Sequence, residues 1–134
     1  MNDVDASPAS PASTASSDPS AAPQPARPDL SVVVPVYDEE ESLPPFWQAL
    51  LPVLTDLGKT WEVLFVNDGS EDASATVLDG LADTDPRVKI IHFRRNFGQT
   101  AALAAGFEAA TGLAVVALDA DLQNDPKDIP AMLA

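Results

Sequence analysis

Four short apolar runs alternate along the chain with stretches of helical periodicity: LSVVVPV (30–36), WEVLFVN (61–67), VKIIHF (88–93) and LAVVALD (113–119). Each is rich in β-branched residues and bounded by turn formers, so each reads as a strand buried on both faces. Between them, SLPPFWQALLPVLTDLGK (42–59) repeats Phe46, Trp47, Leu50, Leu51, Leu54 and Leu57 at helical spacing. Ser42 is placed to cap this helix, Pro44 and Pro45 fall in its first turn, Pro52 is an awkward interior residue and Gly58 a natural stop. DGSEDASATVLDGLAD (68–83) opens with turn residues and a serine cap, with Val77, Leu78 and Leu81 on one face. GQTAALAAGFEAAT (98–111) is an Ala-rich helix closed by Gly112, and Asp125-Pro126 is a cap and first-turn proline for a last helix. Strand–helix alternation of this kind predicts an α/β fold, a mostly parallel sheet with helices on both faces.

Residues 1–28 are rich in Ala, Ser and Pro, with no aromatic residue. Such a segment buries too little apolar surface to offset the entropy of ordering, and is expected to be a disordered tail. It lacks the charged start and apolar core of a signal peptide. Residues 29–134 are then the folded part. The chain has no cysteine, so disulfides and thiolate metal sites are excluded. No apolar run reaches the length of a membrane span. A formal net charge of −14 argues against nucleic-acid binding, which needs clustered cations, and against unaided attraction to anionic lipid. An acidic chain that handles phosphates needs a cation as intermediary.

In an open parallel sheet, ligands bind beyond the carboxyl ends of the strands. There the sequence places Tyr37 with Asp38, Glu39, Glu40 and Glu41; Asn67, Asp68, Gly69 and Ser70; Arg94, Arg95 and Asn96; and Asp119, Asp121 and Gln123. The D-x-D spacing occurs three times, and only Asp119-Asp121 follows a strand. Residues i and i+2 of extended chain share a side, so these two carboxylates repel unless a proton or a cation joins them. All-oxygen ligands suit Mg²⁺ or Mn²⁺. An EF-hand does not fit DADLQNDPKDIP, because Asn124 stands where glycine is required and Pro130 where glutamate is. Asp68 is suited equally to a strand-to-helix turn and to accepting hydrogen bonds from a base or ribose. Tyr37 and Glu39 carry the same two readings, base contact or plain loop. Arg94 and Arg95, before a helix start, suit a phosphate or a solvated surface. His92 reads as a core or edge residue, since nothing spaced along the sequence orients it, and Trp47 and Trp61 read as packing residues. Dinucleotide, Walker and nucleophile-elbow motifs are absent.

VVVPVYDEEESLP, EVLFVNDGSEDAS, RRNFGQTAALAAGFEAATG and VVALDADLQNDPKDIP together resemble family 2 glycosyltransferases of the GT-A fold. The resemblance is strongest to the polyprenyl-phosphate sugar transferases, and it runs from about Leu30 to the end. It implies that Pro35, Tyr37 and Glu39 line the base and ribose, and that Asp68 recognises the base. It implies that Asp119, Asp121 and Gln123 form the metal-binding set, with Asp119 and Asp121 catalytic, and that Arg94 or Arg95 faces the diphosphate. Asp38 departs from the family, which usually has Asn. The implied reaction is metal-dependent (Mg²⁺ or Mn²⁺), inverting transfer of a sugar from a UDP- or GDP-sugar to a polyprenyl phosphate. The implied setting is the cytoplasmic face of a membrane, where full-length relatives are often anchored. Family catalytic domains continue past the D-x-D strand, so the chain is expected to be the donor-binding part, incomplete at its C-terminus and weak or inactive alone. A sugar hydroxyl acceptor, a non-catalytic nucleotide-sugar-binding module and a receiver-like signalling domain are the rival readings; the acidic cluster after the fourth strand is out of place for the last.

Overall fold

A computed structural model of the chain describes residues 27–120. The expected metal-binding residues Asp121 and Gln123, the expected last helix and most of the Ala/Ser/Pro stretch lie outside the described residues. Seven elements follow in the expected order: β1 (Leu30–Val36), α1 (Leu43–Asp56), β2 (Trp61–Asn67), α2 (Ser74–Thr84), β3 (Val88–His92), α3 (Gln99–Ala109) and β4 (Ala114–Ala117). All strand pairs are parallel, in the order β3-β2-β1-β4. The chain thus steps outward from β1 through β2 to β3, then returns to the other side of β1. That reversal is a topological switch point, where the loops leaving β1 and β4 splay apart and open a crevice.

Strand alternation sorts the core into two layers. Val32, Val34, Val63 and Phe65 join one apolar cluster with Leu43, Phe46, Leu50 and Leu54 of α1 and Leu78 of α2. Phe46 and Phe65 meet edge to face at 6.3 Å, and Trp47 packs against both Trp61 and Phe65. Each of these fully buried side chains contributes roughly 1.5–3 kcal/mol by leaving water, so α1 is held by its apolar face. Its capping is weak, for Ser42 makes no side-chain cap bond. Pro52 is tolerated inside α1 because the carbonyl it leaves without a donor, that of Gln48, is on the exposed side where water reaches it. The expected serine cap of α2 is likewise absent; Asp72 Oδ1 instead accepts from the Ser74 N–H at 2.8 Å.

The opposite face of the sheet carries α3. Its closest approach is at Gly106, where a Cβ would stand 2.3 Å from Val33 Cγ1 and 3.3 Å from Val66 Cγ2. Val33 is fully buried and stiff about χ1, so it has little room to yield. Gly106→Ala is therefore expected to destabilise the domain by about 1–3 kcal/mol through overpacking, despite alanine's better helix propensity; urea unfolding would show the sign.

Two expectations change. The fourth run is not buried on both faces: Leu113 is 67 % and Val115 40 % exposed. The reason is placement, because α3 lies over β1 and β2 and, among the described residues, β4 pairs with β1 alone. The fold also begins before residue 29. Arg27 donates to the carbonyls of Thr111 and Gly112 at 2.8 and 3.2 Å, and the Leu113 N–H donates to the Pro28 carbonyl.

Candidate functional site

The crevice at the switch point is a cleft of about 300 Å³ lined by Pro35, Val36, Tyr37, Glu39, Asp68, Gln99, Asp119 and Ala120. Its walls come from the ends of β1, β2 and β4 and from the first residue of α3. It is of the size and polarity that small-molecule sites take. Pro35, Tyr37, Glu39, Asp68 and Asp119, five residues singled out in the sequence, are brought together here.

The loops that carry them are cross-linked. The Asp38 N–H donates to Ser70 Oγ (2.9 Å), the Glu39 N–H to Ser74 Oγ (2.8 Å) and the Glu40 N–H to Asp72 Oδ2 (3.2 Å). In return the Glu71 N–H donates to Asp38 Oδ1 (2.8 Å) and the Ala73 N–H to Glu40 Oε1 (3.2 Å). Most of the acids in YDEEES and DGSEDAS are thus engaged in satisfying backbone donors. Asp38 sits at φ 51°, a left-handed conformation that Asp and Asn adopt more readily than other side chains. That accounts for a short acid where the resembling family has Asn.

Asp68 is 3 % exposed and organises the third loop. Its Oδ1 accepts from the Phe97 N–H at 2.7 Å, its Oδ2 from Asn96 Nδ2 at 3.1 Å, and the Gly98 N–H is shared between the two oxygens. Gly98 precedes the first turn of α3, so the carboxylate also faces the positive end of that helix. Both carboxylate oxygens are thus engaged, which fixes Asp68 in the cleft wall.

Arg94 or Arg95 is the residue expected to face a diphosphate. Neither lines the cleft. Asp68 draws the loop backbone inward, which turns these side chains out, and Arg95 stacks over the Phe97 ring at 4.2 Å. Gln99 takes a place in the wall instead. The signal for it was its position as the first residue after the Gly98 helix start. His92, expected to lack an orienting partner, has two from distant segments: Asn67 Nδ2 at 3.0 Å from Nδ1 and Asp79 Oδ1 at 2.8 Å from Nε2.

The cleft is electronegative. Asp38 above all, then burial and the more distant Glu71, Asp68 and Asp72, push the Tyr37 hydroxyl above its ordinary pKa. Asp119 is half-buried in the wall. Among the described residues no three His, Asp or Glu side chains gather as a complete metal site. The oxygen-only donors present fit a hard divalent cation.

The parallel sheet with a crevice at its switch point, walled by Asp68 after β2 and Asp119 after β4, is the α/β arrangement of the GT-A glycosyltransferases to which it is similar. The chain belongs to glycosyl transferase family 2, whose model matches residues 31–134. It is 44 % identical over 106 residues to the undecaprenyl-phosphate 4-deoxy-4-formamido-L-arabinose transferase of Pectobacterium carotovorum, covering 78 % of this chain and 32 % of that protein. The protein of the same name from Salmonella paratyphi B is 43 % identical over the same length. The chain thus spans about a third of the curated relatives it matches. Among solved structures it is similar to the mannosyltransferase PcManGT of Pyrobaculum calidifontis in complex with GDP-Man and Mn²⁺. There the TM-score is 0.61 at 28 % identity, over 82 % of this chain and 32 % of that one. The S. aureus TarS 1–349 complex with UDP shares the fold, with a TM-score of 0.59 at 23 % identity over 78 % of this chain and 32 % of that one.

Proposed function

We propose that residues 29–134 form the donor-binding part of an inverting glycosyltransferase that passes a sugar from a UDP- or GDP-sugar to a polyprenyl phosphate. The observation that carries this reading is the convergence of Asp119 with Pro35, Tyr37, Glu39 and Asp68 on one cleft. The similarity to undecaprenyl-phosphate transferases supports the acceptor class, and the GDP-Man and Mn²⁺ of the mannosyltransferase complex support a nucleotide donor with a divalent cation. Among the described residues no helix is long and apolar enough to cross a membrane.

In this reading Tyr37, 44 % exposed at the rim, stacks on the base. Asp68 recognises the base from the cleft wall, and Glu39 faces the ribose. Asp119, with Asp121 and Gln123, would hold Mg²⁺ or Mn²⁺, which supplies Lewis-acid neutralisation of the leaving diphosphate. An acceptor phosphate oxygen forms the new bond to the anomeric carbon as the bond to the donor diphosphate breaks on the opposite side. The nucleoside diphosphate leaves with the electron pair. A phosphate monoester is already an anion at neutral pH, so no side chain has to remove a proton from it.

Calorimetric titration of the chain with UDP and with GDP, each with Mn²⁺ and with chelator, tests this reading. One nucleotide is expected to bind only with the cation, and Asp119→Asn is expected to weaken it about tenfold or more. Equal affinity with and without chelator would overturn the metal-dependent reading.

A further inference from the structure

The chain's single histidine stands at the end of β3, outside the cleft, yet it terminates a continuous run of hydrogen bonds that reaches the cleft wall. Asn67 Oδ1 accepts from the Ser70 N–H at 3.0 Å, which fixes the amide so that its Nδ2 donates to His92 Nδ1. Nδ1 is therefore the acceptor nitrogen, and Nε2–H donates to Asp79 Oδ1. Ser70 in turn accepts from the Asp38 N–H through its Oγ, and Asp38 adjoins Tyr37 in the wall.

We propose that His92 is a positioning residue for the donor cleft: the neutral imidazole holds the Asn67–Ser70 turn, and through it the Tyr37–Asp38 segment, and protonation of the ring releases that hold. The inference rests on reading the cleft as the donor site. A proton on Nδ1 sets two donors face to face. Turning the Asn67 amide over relieves that conflict but sets its NH₂ against the Ser70 N–H. In either orientation one bond is lost, and Asn67 is only 4 % exposed, so water does not readily replace it. Asp79 from α2 is the charged group that contacts the ring, and Asn67 is the contact from β2. Lys89, on the same strand, is turned to Glu62. Histidine is the side chain whose ordinary titration falls in the physiological range, so the cleft would tighten as pH rises and loosen as it falls.

The test is an amide NMR titration of the full chain from about pH 8 to about pH 5.5, repeated with UDP or GDP and Mg²⁺. The Ser70 and Asp38 amides are expected to shift with the midpoint of the His92 ring, and nucleotide affinity to fall about threefold or more towards acid, the worth of one hydrogen bond. His92→Asn offers a non-titrating oxygen to Asn67 and is expected to keep its affinity across the range. A His92 ring that titrates while the Ser70 amide stays still overturns the proposal, and that comparison needs no variant. So does an equal loss of affinity in His92→Asn. If the Ser70 amide follows His92 but no nucleotide binds at any pH, the relay stands and the donor reading of the cleft falls.

Discussion

Gly69→Ala is expected to cost the fold about 2–4 kcal/mol and to abolish nucleotide binding, the first read from urea unfolding and the second from titration. Gly69 sits at φ +70°, where a side chain is strained. The space beside it is also taken: a Cβ would stand 2.2 Å from the Arg95 carbonyl carbon and 2.3 Å from the Asn96 nitrogen. These are backbone atoms, and they cannot rotate away. They belong to the loop whose Phe97 and Gly98 amides the Asp68 carboxylate holds. Displacing that loop therefore pulls at Asp68 and at the start of α3, where Gln99 enters the cleft. Gly58 supplies the internal control. Its φ is +68°, nearly the same, but nothing lies within 4 Å of its added Cβ. Gly58→Ala carries the conformational strain alone, about 1 kcal/mol. The excess in Gly69→Ala measures the clash, and equal costs at the two positions would refute the close approach.

What was legible in the sequence, and what was not, divides along a physical line. Strand–helix alternation and the polar groups at strand ends are local in the chain, and they were enough to expect a parallel α/β sheet and to gather Tyr37, Glu39, Asp68 and Asp119 at one edge, while Pro35 came from the family resemblance. The layers above and below the sheet are not local. LAVVALD is as apolar as LSVVVPV, yet the first run is buried except at Pro35 while Val115 of the fourth is exposed, because burial depends on where α3 lands. Side-chain pairing over long separations was equally hidden. Nothing near His92 in sequence announces Asn67 or Asp79, and Arg94 and Arg95 have the right chemistry for a diphosphate but are turned outward by the loop that Asp68 organises.

Asp68 also shows that one residue can serve both readings considered for it. As a turn residue it secures the third loop; as a cleft residue it lines the wall. The two roles reinforce each other, because a carboxylate already fixed by three donors loses no further freedom when a ligand arrives, and so binds with less entropic cost.

At the other end of the sheet, Glu62 is expected to make stability strongly pH-dependent in acid. It is 3 % exposed, and four bonds converge on it. Lys89 Nζ donates to Oε1 at 2.7 Å, while Ser31 Oγ (2.6 Å), the Thr111 N–H (2.8 Å) and Thr111 Oγ1 (3.0 Å) donate to Oε2. Ser31 Oγ also accepts from the Gly112 N–H, so the turn between α3 and β4 is fastened to β1 and β2. That turn sets the register of β4 on β1, and the register places Asp119 in the cleft. Burial raises the Glu62 pKa, but the bonds from Lys89, Ser31 and Thr111 outweigh it and bring the value from 4.5 down to about 2. A carboxyl more acidic in the folded than in the unfolded chain stabilises the fold above the unfolded value. That contribution is present in full above pH 4.5 and is lost as pH falls to about 2; it amounts to about 3 kcal/mol. In Glu62→Gln the charge is gone and an NH₂ faces one of the donors, so the variant is expected to be about 3 kcal/mol less stable at neutral pH. Because every other carboxylate titrates alike in both proteins, the difference between their urea-unfolding free energies isolates Glu62. That difference should shrink steadily below pH 4.5 and be small near pH 2; a gap that stays constant through this window would mean that Glu62 is held by packing and not by its charge.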